Sequence, residues 1–275
     1  MKKSLIAKIF GKPRKDSYAY LKMKFVENGN LPGRDRSVRK SIIKKFEAID
    51  KYIKTATTPA DGLFLAEFVL SMKAEGDIVE CGTYAGASAA KLSILAGLTG
   101  RKLYIFDSFK GLPEADETDI TDFHARRSCE WITPWKKGRY SGDIKEVKSN
   151  IEKYGNIETC IFKKGFFSET LKASNLPGKI ALSFVDVDIA SSAKACIVSI
   201  WPRITPGGVY VSHDIAYLKV LDAILDKNLW ESVLLEFPPV LFGAGFGLCD
   251  SAPHMGFFVK ENRDPVYIKG LTIDK

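Results

Sequence analysis

Beyond Met72, short apolar runs alternate with stretches of helical spacing, and nothing else in the chain restricts its fold as much. Five of the runs read as strands: Asp77 to Glu80, Lys102 to Phe106, Glu158 to Phe162, Ile180 to Val185 and Gly208 to Ser212. Helical segments lie between most of them. Ser191 to Trp201, for example, carries Ala193, Cys196, Ile197, Ile200 and Trp201 on one face. Strands alternating with helices predict a parallel sheet covered on both sides. Ser232 to Phe237 and Met255 to Lys260 follow without an obvious helix between them, which suits a closing antiparallel pair. Upstream, helical spacing predicts helices over Ser37 to Lys54 and Pro59 to Lys73.

The expected architecture is α/β: a Rossmann-like, mostly parallel sheet with a closing antiparallel strand and a helical N-terminal extension. The chain divides into a basic extension or lid, residues 1–58, and a main domain, residues 59–275. With 275 residues, 45% of them hydrophobic, it can bury one large core. No stretch approaches the roughly 18 apolar residues of a membrane helix. The apolar run within Met1 to Phe10 is too short for a signal-peptide core, so a cytoplasmic location is expected. Cys81, Cys129, Cys160, Cys196 and Cys249 are odd in number and contain no CxxC pair, which fits reduced thiols. Residues 1–54 hold 16 lysines and arginines against 5 acids, and the remainder holds 25 against 28. The basic character therefore belongs to the N-terminal segment. It can be a solvated helical face, or it can draw residues 1–24 weakly to an acidic membrane surface. Nucleic acid is not expected as a partner, because the basic run lacks interleaved aromatics. Assembly into homo-oligomers is expected.

The first strand runs into Glu80-Cys81-Gly82-Thr83-Tyr84-Ala85-Gly86-Ala87-Ser88 and then a helix. Glycines at such a turn let the backbone approach a ligand, and open parallel sheets bind ligands at the carboxyl ends of their strands. A dinucleotide site usually wants GxGxxG, with its pyrophosphate on the helix amides. Here the pattern is ExGxxxG with an acid at the strand end. S-adenosylmethionine carries an ammonium and a sulfonium and no phosphate, so Glu80 suits it better. The second strand ends in Asp107, which is positioned to accept the ribose hydroxyls.

The fourth strand ends in Asp186-Val187-Asp188 and the fifth in His213-Asp214. In a parallel sheet these ends are neighbours, so Asp186, Asp188, His213 and Asp214 are expected to converge beside the cofactor. Crowded acids repel unless a cation or proton sits among them, and a hard ion such as Mg²⁺ suits carboxylate oxygens. Asp188 can alternatively cap the helix that starts near Ala190. Methyl transfer to oxygen requires the hydroxyl to lose its proton, and Asp186 or His213 is the candidate base.

These motifs resemble the macrocin O-methyltransferase family, the TylF/MycF group acting on deoxysugars of antibiotics. The resemblance rests on Glu80-Cys81-Gly82 with Gly86 and Ser88, and on Phe106-Asp107-Ser108-Phe109-Lys110-Gly111-Leu112-Pro113. It extends through Arg139-Tyr140-Ser141-Gly142, Gly165 to Leu171, Asp186-Val187-Asp188 and Trp201 to Gly208, in family order. It implies a class I methyltransferase fold, S-adenosylmethionine as methyl donor and often Mg²⁺. By the same match Glu80, Gly82, Thr83, Tyr84, Gly86, Ser88, Asp107, Ser108, Phe166 and Asp186 would hold the donor. Asp186, His213 and Asp214 would bind the ion, with Asp186 or His213 as catalytic base. The chain departs from the family at His213, where an acid is usual, and imidazole shifts preference away from Mg²⁺.

The long connection from Leu112 to Asp143 is expected to meet the acceptor. Its Trp131 and Trp135 can stack on a ring or simply pack the loop onto the domain. Gly243 to Gly247 can form a flexible rim. The reading that best joins these features is an enzyme methylating a hydroxyl of a sugar or other small polar metabolite. Its rivals are a nicotinamide-dependent oxidoreductase and a non-catalytic module that binds the donor or a nucleoside.

Overall fold

The computed structural model describes residues 17–29, 34–120, 135–244 and 247–261. Cys129, Trp131, Gly245 and Phe246 lie outside the described residues, as do residues 1–16 of the basic segment.

Three helices open the described residues, and each starts where a side chain can accept from its free amides. In α1 (Tyr18–Glu27) Ser17 does this, and in α2 (Arg36–Tyr52) Asp35 accepts from Ser37 and Val38. In α3 (Pro59–Ser71) Thr58 and Asp61 cap each other reciprocally, with Pro59 at the first helical position. There follow β1 (Asp77–Cys81), α4 (Ala87–Thr99), β2 (Leu103–Asp107), α5 (Ile144–Tyr154) and β3 (Cys160–Lys164). The chain continues through α6 (Phe167–Thr170), β4 (Ile180–Val185), α7 (Ala190–Ile200), β5 (Ile204–Ser212), α8 (Leu218–Leu225) and β6 (Gly256–Val259). The sheet order is β3-β2-β1-β4-β5-β6, all parallel except β6, which runs antiparallel to β5. The five parallel strands lie within a few residues of the runs read from the sequence.

β4 is wholly buried, and β1 is buried from Ile78 to Cys81, because helices cover both faces. One face packs against α3, α4 and the N-terminal helices, with Phe25, Ile42, Phe46, Ile49 and Ile53 in the same core as Ile78, Leu92 and Phe184. The other packs against α7 and α8 through Cys196, Ile197, Ile200, Trp201 and Val220. Each fully buried side chain of this size contributes about 1.5–3 kcal/mol. A buried ion pair, Lys91 to Asp50 at 2.5 Å, joins α4 to α2. The four described cysteines are free thiols. No helix of the described residues is long and apolar enough to cross a membrane.

One expectation fails. Ser232 to Phe237 is no strand: Leu229–Leu234 forms a turn of π-helix, and β6 alone occupies the free edge of β5. The alternating Val233, Leu235 and Phe237 imitate a strand, yet all three are exposed. The residues that anchor the segment are Leu229 and Trp230. Trp230 sits edge-on to Trp201 at 5.1 Å and donates its indole N–H to the Ile224 carbonyl at 2.8 Å.

Candidate functional site

The carboxyl ends of the parallel strands open into one cavity of about 440 Å³. Its floor is set by backbone contacts between strand ends. Gly82 donates to the Phe106 carbonyl, and Asp186 donates to the Cys81 carbonyl. Gly82 has φ +82°, and a Cβ there would run into the Asp186 carbonyl, so only glycine lets β1 and β4 close together. Gly142 likewise lies against the Tyr84 carbonyl, which seats the Arg139-to-Gly142 motif on the β1 loop. Tyr84 and Tyr140 then meet edge to face at 5.6 Å, and both line the cavity.

At one end of the cavity, Asp107 accepts from the amides of Thr83 (2.8 Å) and Phe109 (2.6 Å). Burial raises its carboxyl above the ordinary value, and the amides of Thr83, Phe109 and Tyr84 work against that rise. An ionised carboxylate has about four acceptor sites, so acceptor capacity remains for a ligand's hydroxyl. Ser108 and Phe166 line the same end.

Glu80, Gly86 and Ser88 do not line the cavity. Gly86 is the left-handed residue that starts α4. Glu80 is fully buried beneath the loop, with the Ser88 and Thr83 hydroxyls beside its carboxyl. Burial pushes its carboxyl up to about 8. The nearby Ser88 and Thr83 hydroxyls oppose that rise, while Asp107 and Asp186 add to it.

At the other end stand Asp186, Asp188, His213 and Asp214, all lining the cavity. Asp214 Oδ2 accepts from the amides of Val187 and Asp188, each at 2.9 Å, and so fixes the turn after β4. Burial and the neighbouring Asp186 push Asp214 up to about 6. Asp188 takes a left-handed φ of 65° and is raised well above the usual carboxylate range by burial, then by Asp214 and Asp186. It does not cap α7. The Ala190 amide donates to Asp119 Oδ1 at 3.0 Å instead, because the turn carries the Asp188 side chain into the cavity.

His213 lies between two carboxylates. Its Nδ1 is 3.3 Å from Asp186 Oδ1, and its Nε2 is 3.2 Å from Asp61 Oδ2. Burial alone would depress the imidazolium. Asp186 and Asp61 outweigh burial and hold His213 well above its usual value.

Asp186, His213 and Asp214 each offer a ligand atom, and these atoms lie within 4.8 Å of one another. Two ligands at right angles on an ion with bonds of about 2.1 Å stand roughly 3 Å apart, close to the Nδ1-to-Oδ1 separation. A carboxylate on the far nitrogen is also what a metal-bound histidine usually has. The donor set thus fits a divalent ion.

Sequence reading missed Asp61, Tyr217 and His254. Asp61 is three residues after Thr58 and reads simply as a helix cap. Tyr217 and His254 line the cavity and stack at 5.9 Å, but come from distant segments with no shared motif. Trp135 does not line the cavity. It is buried edge-on to Tyr217 at 5.1 Å and packs the long connection down. Gly243 and Gly247 also stay outside the cavity.

The family model for macrocin O-methyltransferase (TylF) matches residues 64–229, from within α3 to the π turn. A Streptomyces olivaceus protein, 8-demethyl-8-(2,3-dimethoxy-alpha-L-rhamnosyl)-tetracenomycin-C 4'-O-methyltransferase, is 29% identical over 167 residues. The match covers 59% of this chain and 62% of that protein, so less than two-thirds of the relative's length is spanned. The O-methyltransferase NovP has a similar fold, with a TM-score of 0.57 and 18% identity over 80% of each chain. So does CalS11, a calicheamicin methyltransferase, with a TM-score of 0.53 and 16% identity over 90% of this chain and 95% of that one.

Proposed function

Because the chain belongs to the macrocin O-methyltransferase family, we propose that it moves a methyl group from S-adenosylmethionine to a hydroxyl of a sugar or other small polar acceptor. One observation carries this reading: Asp107 and the Asp186–His213–Asp214 cluster face the same 440 Å³ cavity from opposite ends. The relative named for methylating a rhamnosyl group supports a sugar-like acceptor.

In this reading Asp107 accepts the ribose hydroxyls, with Gly82, Thr83, Tyr84, Ser108 and Phe166 lining the donor end. Glu80 acts from below through its field, as the buried counter-charge to the donor's cationic groups. Reaction is an in-line displacement. The acceptor oxygen bonds to the methyl carbon as the sulfur–carbon bond breaks, and the electron pair of that bond stays on sulfur. The hydroxyl proton passes to Asp186 or to His213 Nδ1, which face each other at 3.3 Å. Asp214 fixes the turn that carries Asp186. Asp186, His213 and Asp214 would hold a divalent ion such as Mg²⁺, which would supply a charge to acidify the hydroxyl. The free thiols suit a reducing compartment such as the cytoplasm.

The test is calorimetric titration with S-adenosylmethionine and separately with nicotinamide cofactors, then turnover with hydroxylated acceptors with and without chelator. Donor binding is expected, and Asp107→Ala should weaken it by about tenfold or more, the loss of one or two charge-assisted hydrogen bonds. A variant that binds the donor as tightly as the parent refutes this site map.

A further inference from the structure

The proton or cation that meets Asp186 must do so at one particular nitrogen of His213, and something has to choose it. We propose that Asp61 is a positioning residue that makes Nδ1 of His213 the nitrogen presented to Asp186 and the cavity. This inference rests on the methyl-transfer reading for its consequence, though not for its geometry.

Asp61 lies in the first turn of α3, on the far side of His213 from the cavity, and is 1% exposed. Its Oδ2 accepts from the Thr58 amide at 2.6 Å and faces His213 Nε2 at 3.2 Å. Oδ1 is buried and has no partner. A carboxylate this enclosed, held by an amide and an imidazole, can only accept hydrogen bonds. The facing Nε2 must therefore carry a hydrogen. In the neutral imidazole that leaves the lone pair on Nδ1, 3.3 Å from Asp186 Oδ1. Two lone pairs at that distance repel unless a proton or a cation lies between them, so Asp61 turns this gap into a receiver of positive charge.

The ring cannot easily turn to escape the assignment. Phe184 stands at an angle of 73° to it, and His254 lies 5.9 Å from it on another side. Asp61 is itself held twice, because Thr58 Oγ1 accepts from the Asp61 amide and donates to the Ser251 carbonyl at 2.8 Å. A helix cap commonly satisfies only its own helix. Here the carboxylate that closes the cap also reaches across 152 residues of sequence to the imidazole.

The test compares Asp61→Ala, Asp61→Asn and Thr58→Ala. Asp61→Ala removes the acceptor, and kcat should fall about 10- to 100-fold with KM for the donor unchanged. Asn keeps an oxygen able to hold both N–H groups, so Asp61→Asn should restore most of kcat. Thr58→Ala removes the hydroxyl and lowers the melting temperature, yet the amide at position 58 still donates to Asp61 Oδ2 and keeps the carboxylate opposite His213, so kcat should be kept. Independently of turnover, ¹⁵N NMR of the neutral imidazole should show hydrogen on Nε2 in the parent and in Asp61→Asn, and a tautomer mixture in Asp61→Ala. Hydrogen on Nδ1 in the neutral parent overturns the proposal. So does an Asp61→Ala loss of kcat no larger than that of Thr58→Ala. If no donor binds at all, the methyl-transfer reading fails, and the NMR result alone decides the role of Asp61.

Discussion

Replacing Glu80 by Gln measures how the donor end stores its charge. Burial, reinforced by Asp107 and Asp186 and opposed by the Ser88 and Thr83 hydroxyls, pushes the carboxyl up to about 8 from 4.5. The folded protein thus binds this proton more tightly than the unfolded chain does. The stabilisation is whole below about pH 4.5, declines as the pH rises, and is gone above about 8. At about 1.4 kcal/mol for each tenfold change in proton affinity, the parent loses on the order of 3 kcal/mol from this group by pH 7. By pH 9 the loss is on the order of 5 kcal/mol. Gln has the size of the protonated acid and never ionises, so it escapes that loss. It carries a constant cost of about 1–3 kcal/mol for an unsatisfied buried amide. The parent should therefore be the more stable protein at pH 5 and the less stable one at pH 9. At about 2–4 °C per kcal/mol, the difference in melting temperature should swing by roughly 10 °C or more across that range. Scanning calorimetry of both proteins without donor at pH 5, 7 and 9 reads the swing directly. Two melting curves that shift in parallel with pH refute a strongly raised carboxyl at Glu80. Titration of the donor at pH 7 into buffers of different ionisation enthalpy should then show proton release by the parent and none by Glu80→Gln, because a bound cation favours the ionised carboxyl.

Two further outcomes follow from the geometry. Gly82→Ala forces a side chain onto the Asp186 carbonyl at φ +82°, and should cost on the order of 2–4 kcal/mol in urea unfolding together with loss of donor binding. The rate of methyl transfer should rise with pH through a midpoint above 6.5, because His213 must give up the proton that Asp186 and Asp61 hold on it before its Nδ1 can accept another. A kcat profile that stays flat from pH 6 to 9 removes His213 from the proton path.

The parallel strands were readable because each carries a short apolar run, whereas the order β3-β2-β1-β4-β5-β6 came only from the structure. Glu80, Asp107, Asp186 and Asp214 all proved to be strand-end residues at the carboxyl edge of the sheet. Depth below the surface was not readable: nothing in ExGxxxG separates an acid lining a cavity from one sealed beneath it, and Glu80 is the sealed kind. Asp61 escaped notice because an acid in the first turn of a helix is common at a capped helix start and gives no sign of a distant imidazole partner. At Ser232 to Phe237 the two-residue alternation pointed to a strand, but the sheet edge was already filled by Gly256–Val259.

The hydrogen bond from Ala190 to Asp119 has a consequence for engineering. Asp119 belongs to the segment that begins the long excursion after the second strand, and it anchors the helix immediately following Asp188. A chimera that grafts the corresponding excursion from a relative, in order to swap acceptor preference, also swaps this anchor. Such grafts should be made with an acid retained at 119. Without it the helix loses a capping interaction worth about 0.5–2 kcal/mol, and the imported loop would be blamed for a defect that began at the helix start.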